Sequence, residues 1–378
     1  MYRRLRGLKD WLIGPGGALD ATEYPAIFRA GHLARYGFTI GTVAAALALT
    51  LGVQPLREQP PTLLFFTAVI LTSWYAGTRA GLLASVLSIA ALDFFFVAPL
   101  YSMQIEVLDL VDFAAFAGAT WLISTLQARW RRTHRSLVEV EQEMQLARQI
   151  QQRMFPASPP SCQGFDIAGV CLPASATGGD FFDYIPVAGN SLGIVVGDVS
   201  GHGLGPALGM ALVHAYLRAL ALTQTRPDEI LTRANQIVCE ETENGWFATV
   251  FLASLVAPSR SLTYAAAGHE AYLLDESGEV TVLPATGMPL GISRDEEIAS
   301  GVERILQPGQ ILLLVSDGIL ESASPDTEMF GLMRLVELVH KGRGQPAREI
   351  AEALCRAAQT HAQPAAQTDD MTVVVIKA

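Results

Sequence analysis

Gly197-Asp198-Val199-Ser200-Gly201-His202-Gly203 follows the apolar, strand-like run 192–196, and its reading decides what kind of chain this is. An aspartate stands bare at the end of a strand, and the glycines around it let other backbone approach closely. Three further stretches share the pattern: Gly178-Gly179-Asp180, Ser316-Asp317-Gly318 after the run 311–315, and Asp369-Asp370-Met371-Thr372 at the start of the run 371–376. A single Asp-Gly pair after a strand is an ordinary turn. Four such patches together are what a hard divalent cation asks of oxygen ligands. Carboxylates suit Mg²⁺ or Mn²⁺ better than zinc, which prefers His or Cys.

At 378 residues the chain is long enough for two or three structural units. Its charged fraction of 17% falls below the roughly 25% of a typical soluble protein. Residues 1–135 hold 12 Lys/Arg and 8 Asp/Glu, whereas 136–378 hold 14 and 29, a net of +4 against −15. The acidic second part excludes a nucleic-acid partner, which would need clustered Lys and Arg. Cys162, Cys171, Cys239 and Cys355 lie far apart, with no Cys-x-x-Cys and no paired histidines, so free thiols are expected.

Four apolar runs, 38–53, 62–77, 80–98 and 110–126, approach the length of a bilayer-spanning helix. Arg3, Arg4, Arg6 and Lys9 precede the first, Arg79 separates the second from the third, and Arg129, Arg131, Arg132 and Arg135 follow the fourth. The positive-inside rule then places both ends of this module in the cytoplasm. Asp93, near a span end, is expected to reach the interface. A charged run without Pro or Gly continues to Phe155. Trp130, Leu137, Met144 and Gln151 recur in it every seven residues, alongside Leu126, Thr133, Val140, Ala147 and Met154. That seam predicts a parallel dimeric signalling helix, rather polar for a coiled coil, ended by Pro156, Pro159 and Pro160.

From about residue 165 short β-like runs dominate: 181–186, 193–196, 248–256, 261–266, 271–274, 280–283, 311–315 and 371–376. Helical segments are expected at 206–222, 227–243, 331–340 and 346–360. Neighbouring strands interrupted by helix pairs point to antiparallel sheets with helices outside, an α+β sandwich, and regular βαβ alternation is absent. The run Gly201-His202-Gly203-Leu204-Gly205 lacks the spacing and the lysine of a phosphate loop.

Two resemblances follow. Ser73-Trp74-Tyr75-Ala76-Gly77, Gly81-Leu82-Leu83-Ala84, Ala91-Leu92-Asp93-Phe94-Phe95-Phe96 and Pro99 resemble the four-helix membrane module of KdpD-type sensor kinases, which implies an anchor or a sensory input. The four acidic stretches occur in order with Ala266-Ala267-Gly268-His269 and Gly287-Met288-Pro289-Leu290-Gly291-Ile292. Together they resemble the SpoIIE-type branch of the PPM (protein phosphatase 2C-like) serine/threonine phosphatases. That resemblance implies a two-sheet sandwich with two Mn²⁺ or Mg²⁺ ions. Asp198 would bridge the ions and the Val199 carbonyl would bind one of them. Asp180 would serve one ion, Asp317 and Asp369 the other, with Asp370 the alternative to Asp369. Ser200 stands where the eukaryotic branch has a histidine, and Ala174 to Thr177 offer no basic phosphate-binding side chain. His269 is expected to be structural.

The expected organisation is a cytoplasmic segment 1–30, a four-helix transmembrane module 31–126, a linker helix 127–160 and an α+β phosphatase domain 161–378. The apolar runs, the Arg/Lys distribution and the heptad seam predict a multi-pass protein of the bacterial cytoplasmic membrane with its catalytic domain in the cytoplasm, in contact with membrane lipid and forming a homodimer. By resemblance, its substrate would be a phosphorylated regulatory protein of the STAS-type anti-sigma-antagonist kind. The alternative is a catalytically silent module that binds such a phosphoprotein.

Overall fold

A computed structural model describes residues 32–53, 62–97, 100–102, 107–187, 191–201, 203–241 and 245–378. The N-terminal segment 1–30, Pro99 and His202 lie outside them. The chain divides into two compact units, Met1–Glu139 and Val140–Ala378.

The first unit is helical. It comprises α1 (His32–Gly52), α2 (Thr62–Tyr75), α3 (Thr78–Phe96) and the first part of α4 (Val107–Gln152). Leu33–Gly52, Thr78–Phe96 and Asp109–Trp130 are long and apolar enough to cross a membrane. Helix α2 has 14 residues, about 21 Å at 1.5 Å per residue, shorter than the ~30 Å of a hydrocarbon core. Phe65, Val69, Ala84, Leu92 and Phe116 form the shared apolar core. At the α2–α3 turn Gly77 takes φ 96°, and a Cβ on Gly81 would overlap the Ser73 hydroxyl, so glycine permits the close crossing. Small hydroxyls join the helices: Ser73 Oγ lies 2.8 Å from Ser124 Oγ, and Thr42 Oγ1 2.9 Å from Thr72 Oγ1. Asp93 departs from expectation, since it is buried among the helices at 4% exposure and its Oδ1 has no hydrogen-bond partner.

Helix α4 runs unbroken for 46 residues; it holds no Pro, and its one glycine, Gly118, lies in its apolar first part. It stops at Gln152, short of Phe155. Arg153 and Met154 fold into a tighter turn, their amides donating to Ile150 and Gln151 carbonyls, and Pro156 disfavours helical geometry at the residue before it.

The second unit is a sandwich of two five-stranded antiparallel sheets. Its strands are β1 (Asp166–Leu172), β2 (Phe181–Val187), β3 (Ser191–Val199), β4 (Ala248–Val256), β5 (Ser261–Ala267), β6 (Ala271–Leu274), β7 (Val280–Leu283), β8 (Arg304–Ile305), β9 (Ile311–Val315) and β10 (Met371–Lys377). The orders are β1-β10-β9-β6-β7 and β2-β3-β4-β5-β8. Alternation along each central strand builds the layers. Ile194, Val196, Leu312, Leu314, Val374 and Ile376 meet between the sheets. Val195 packs outward with α5 (Leu204–Ala221) and α6 (Pro227–Glu241), and Val373 and Val375 outward with α8 (Gly331–Gly342) and α9 (Ala347–Ala362). Strands covered on both faces therefore read as continuous apolar runs. Helix α5 is also long and apolar enough to cross a membrane, yet Met210, Val213 and Leu217 bury its inner face in the sandwich core.

A candidate metal-binding active site

The acids come from strand ends on both sheets. Asp180 immediately precedes β2, and Asp198 is the second-last residue of β3. These strands pair antiparallel, with Phe181 opposite Gly197, so the two aspartates meet at one sheet end. Asp317 opens α7 (Asp317–Leu320) just after β9, and Asp369 and Asp370 lead into β10, with Val315 opposite Val373. Antiparallel pairing brings the acids of each sheet together, and the Gly179 amide donating to Asp370 Oδ2 at 2.7 Å joins the two sheet ends.

No ion pair among the described residues neutralises this cluster. Asp180 is 3% exposed and its Oδ2 has no hydrogen-bond partner. Burial, then the charge of Asp198, pushes its carboxyl well above the usual carboxylate range. Burial and then Asp317 and Asp369 push Asp198 up to about 7. Asp317 is raised by burial, then by Asp369 and Glu321. Like charges out of water favour the protonated form unless a cation arrives.

The two adjacent acids at 369 and 370 have different partners. Asp370 is buried, its Oδ1 accepting the Ala174 amide at 2.7 Å and its Oδ2 the amides of Gly179 at 2.7 Å and Asp180 at 3.4 Å. Asp369 is exposed, and its carboxylate accepts the Asp370 amide at 2.8 Å and, among the described residues, no other hydrogen bond. Gly179 sits against the end of β3: a Cβ there would overlap the Val199 carbonyl oxygen and come 3.2 Å from Asp198 Oδ1. Only glycine leaves those oxygens open.

The donor set fits hard divalent cations in type and place: carboxylates of mixed exposure, an orphaned buried oxygen on Asp180, and a backbone carbonyl beside a glycine. Among the described residues, no three acid, His or Cys side chains are gathered tightly enough to enclose one ion.

Three features were not singled out as site residues from the sequence. Gln151, on the last turn of α4, donates through Nε2 to the Gly178 carbonyl at 2.6 Å and accepts the Gly178 amide through Oε1 at 3.1 Å. The linker helix therefore grips the loop that carries Asp180. A polar residue on the heptad seam was the available signal. Asp183 is held by His214 at 2.8 Å and Arg218 at 2.6 Å, fastening β2 to α5. Ser200, in place of a histidine, accepts the Phe247 amide at 3.1 Å. His269 is buried, its pKa lowered to about 4 by desolvation, with Nδ1 3.3 Å from Thr249 Oγ1.

A helix-flanked double sheet with acids at one end is the architecture of PP2C-type domains. The solved SiaA-PP2C domain of Pseudomonas aeruginosa has this fold (TM-score 0.57, 23% identity, 64% of this chain and 98% of that one). The RsbU and RsbW domains of a Mycobacterium tuberculosis protein are also similar (TM-score 0.50, 26% identity, 60% of this chain and 63% of that one). Residues 188–378 match the family described as Stage II sporulation protein E (SpoIIE), and the chain belongs to that family. Residues 36–139 match a domain of unknown function, DUF4118. Phosphoserine phosphatase RsbU of Bacillus subtilis is 29% identical over 203 residues, covering 53% of this chain and 60% of that relative.

Proposed function

We propose that the chain is a membrane-anchored phosphoserine/phosphothreonine protein phosphatase dependent on two Mn²⁺ or Mg²⁺ ions. The carrying observation is the acidic cluster that no described Lys, Arg or His side chain pairs with, in which Asp180 is buried with a free Oδ2 and Asp198 is raised to about 7. Asp198 and the Val199 carbonyl would hold metal from β3, Asp180 from the Gly178-Gly179 loop, and Asp317 and Asp369 from the other sheet. Asp370 acts as a backbone clasp, because its oxygens are taken by three amides. When bound, the metal pair supplies Lewis-acid polarisation of the phosphoryl group and lowers the pKa of water. The chain's own residues orient that pair. Gln151 and Asp370 fix the two ends of the Gly178-Gly179-Asp180 loop, so a shift of the linker helix changes where Asp180 stands.

The substrate is a phosphorylated regulatory protein, of the STAS-type anti-sigma-antagonist class that the family resemblance implies, and the likeness to phosphoserine phosphatase RsbU supports phosphoserine as the group acted on. The N-terminal helices anchor the chain in the cytoplasmic membrane with the catalytic unit in the cytoplasm, and α4 continues as the dimeric linker. Phosphate release by the full chain from a phosphoserine peptide, with Mn²⁺ and then with EDTA, tests the activity. Release that depends on metal is expected. Mn²⁺ uptake without release would leave the silent phosphoprotein-binding module. Absence of both uptake and release defeats the two-metal reading.

A further inference from the structure

The sandwich has four outer strands, β1 and β7 in one sheet and β2 and β8 in the other. Exposed strand edges invite pairing with other chains, and proteins usually blunt them with prolines, inward charges or shortness. Three edges are blunted in those ways. β2 carries Pro186 and the buried Asp183, β7 has 4 residues and β8 has 2. β1 is different. It reads Asp-Ile-Ala-Gly-Val-Cys-Leu over 7 residues, and it pairs on one side only, with β10. Its single charge, Asp166, is turned to accept the Ala347 amide at 2.8 Å.

A groove of about 490 Å³ lies along this strand. Phe155 and Phe182, their ring centroids 5.7 Å apart, form one wall beside Gly169. Helix α9 forms the other, where Arg348 (71% exposed) and Arg356 (65%) both reach Glu352 (37%), at 3.0 and 3.4 Å. Glu349 lies outside the groove lining, so the charged lining residues are two guanidiniums and one carboxylate, a net positive charge within residues 136–378 that hold 14 Lys/Arg and 29 Asp/Glu.

We propose that β1 is a docking edge that takes an extended, acidic and apolar segment of a partner protein as an added strand. Backbone groups on the free side of β1 would supply the ladder, the phenylalanine wall would take alternate apolar side chains, and Arg348 and Arg356 would take the acidic ones. The site lies beside the catalytic end: β1 leads into Pro173-Ala174, and the Ala174 amide is held by Asp370 at 2.7 Å. A partner held there is concentrated next to the acids. The docking edge does not depend on those acids hydrolysing phosphate.

The test uses the full chain in detergent micelles and a fluorescein-labelled octapeptide of alternating Val and Glu, followed by anisotropy and amide hydrogen exchange. Saturable binding is expected, with slower exchange at Gly169 and Cys171. Arg348→Glu with Arg356→Glu should weaken binding at least about tenfold, and the milder Arg348→Gln with Arg356→Gln should weaken it less. The same peptide N-methylated at alternate amides should also bind at least about tenfold more weakly, because it cannot form a ladder. No saturable binding, equal affinity of the methylated peptide, or protection away from β1 would each overturn strand addition. Protection of β1 that rises with protein concentration alone would assign the edge to a second copy and overturn the partner proposal.

Discussion

Asp93 apart, the helical unit buries hydroxyls where the catalytic unit buries acids. In the helical unit most buried hydroxyls are settled at once: Thr50 donates to the Ala46 carbonyl at 2.8 Å, Thr72 to the Ala68 carbonyl at 2.7 Å, and Ser73 meets Ser124. Neutral groups satisfied within a helix, or by a single partner, cost little to bury. At the catalytic end Asp180 and Asp198 lie beside one another with no Lys or Arg ion pair among the described residues, which folding alone would disfavour. The contrast separates polarity that holds a fold together from polarity held in reserve for a ligand.

The comparison breaks first at Asp198. Asp198→Asn should lower phosphate release on the order of a thousandfold, since it removes the carboxylate proposed to bridge both metals; a variant within tenfold of wild type would place the chemistry elsewhere. Stability of the metal-free chain should depend on pH through the same group. A carboxyl raised to about 7 in the folded state favours folding when protonated, and that contribution is lost as pH rises from about 4 to 7. Thermal unfolding should therefore fall by several degrees between pH 5 and pH 8, and Mn²⁺ or Asp198→Asn should flatten the curve. An unchanged slope in the variant would show that the strain lies in other groups.

Gly179→Ala places a methyl on the Val199 carbonyl oxygen. The Mn²⁺ concentration for half-maximal activity should rise about 10- to 100-fold, in the range seen when groups supporting a metal site are disturbed. Equal half-saturation would remove that carbonyl from the ligand set. Gln151→Ala leaves both backbone groups of buried Gly178 unpaired and should cost about 1–3 kcal/mol in chemical denaturation of the catalytic unit. Smallest of all, Ser73→Ala in the helical unit should cost about 0.6 kcal/mol. If it costs as much as Gln151→Ala, the contrast between the units disappears.

Much of the fold was legible because both its periodicities were strong. The run 371–376 gave β10, the 14-residue α2 sat within 62–77, and the Pro-free stretch after residue 126 became one helix. β1 has no strand-like signature in the sequence, since Ala168 and Gly169 interrupt the pattern and the strand is set by its register with β10. Similarly, α5 has a membrane-like composition, and only its packing on the sheet places Met210 and Leu217 in a soluble-type core.

By itself the sequence determined which acids, glycines and apolar runs exist, and in what order, because those depend on local spacing. Tertiary structure alone decided between neighbours: Asp370 became a clasp and Asp369 stayed open, Gln151 reached the Gly178 loop, and β1 became an open edge. The reason is separation along the chain. Asp370 meets an amide 196 residues away and Gln151 one 27 residues away, and hydrogen bonds at such distances are fixed by how sheets and helices pack, which no local pattern records.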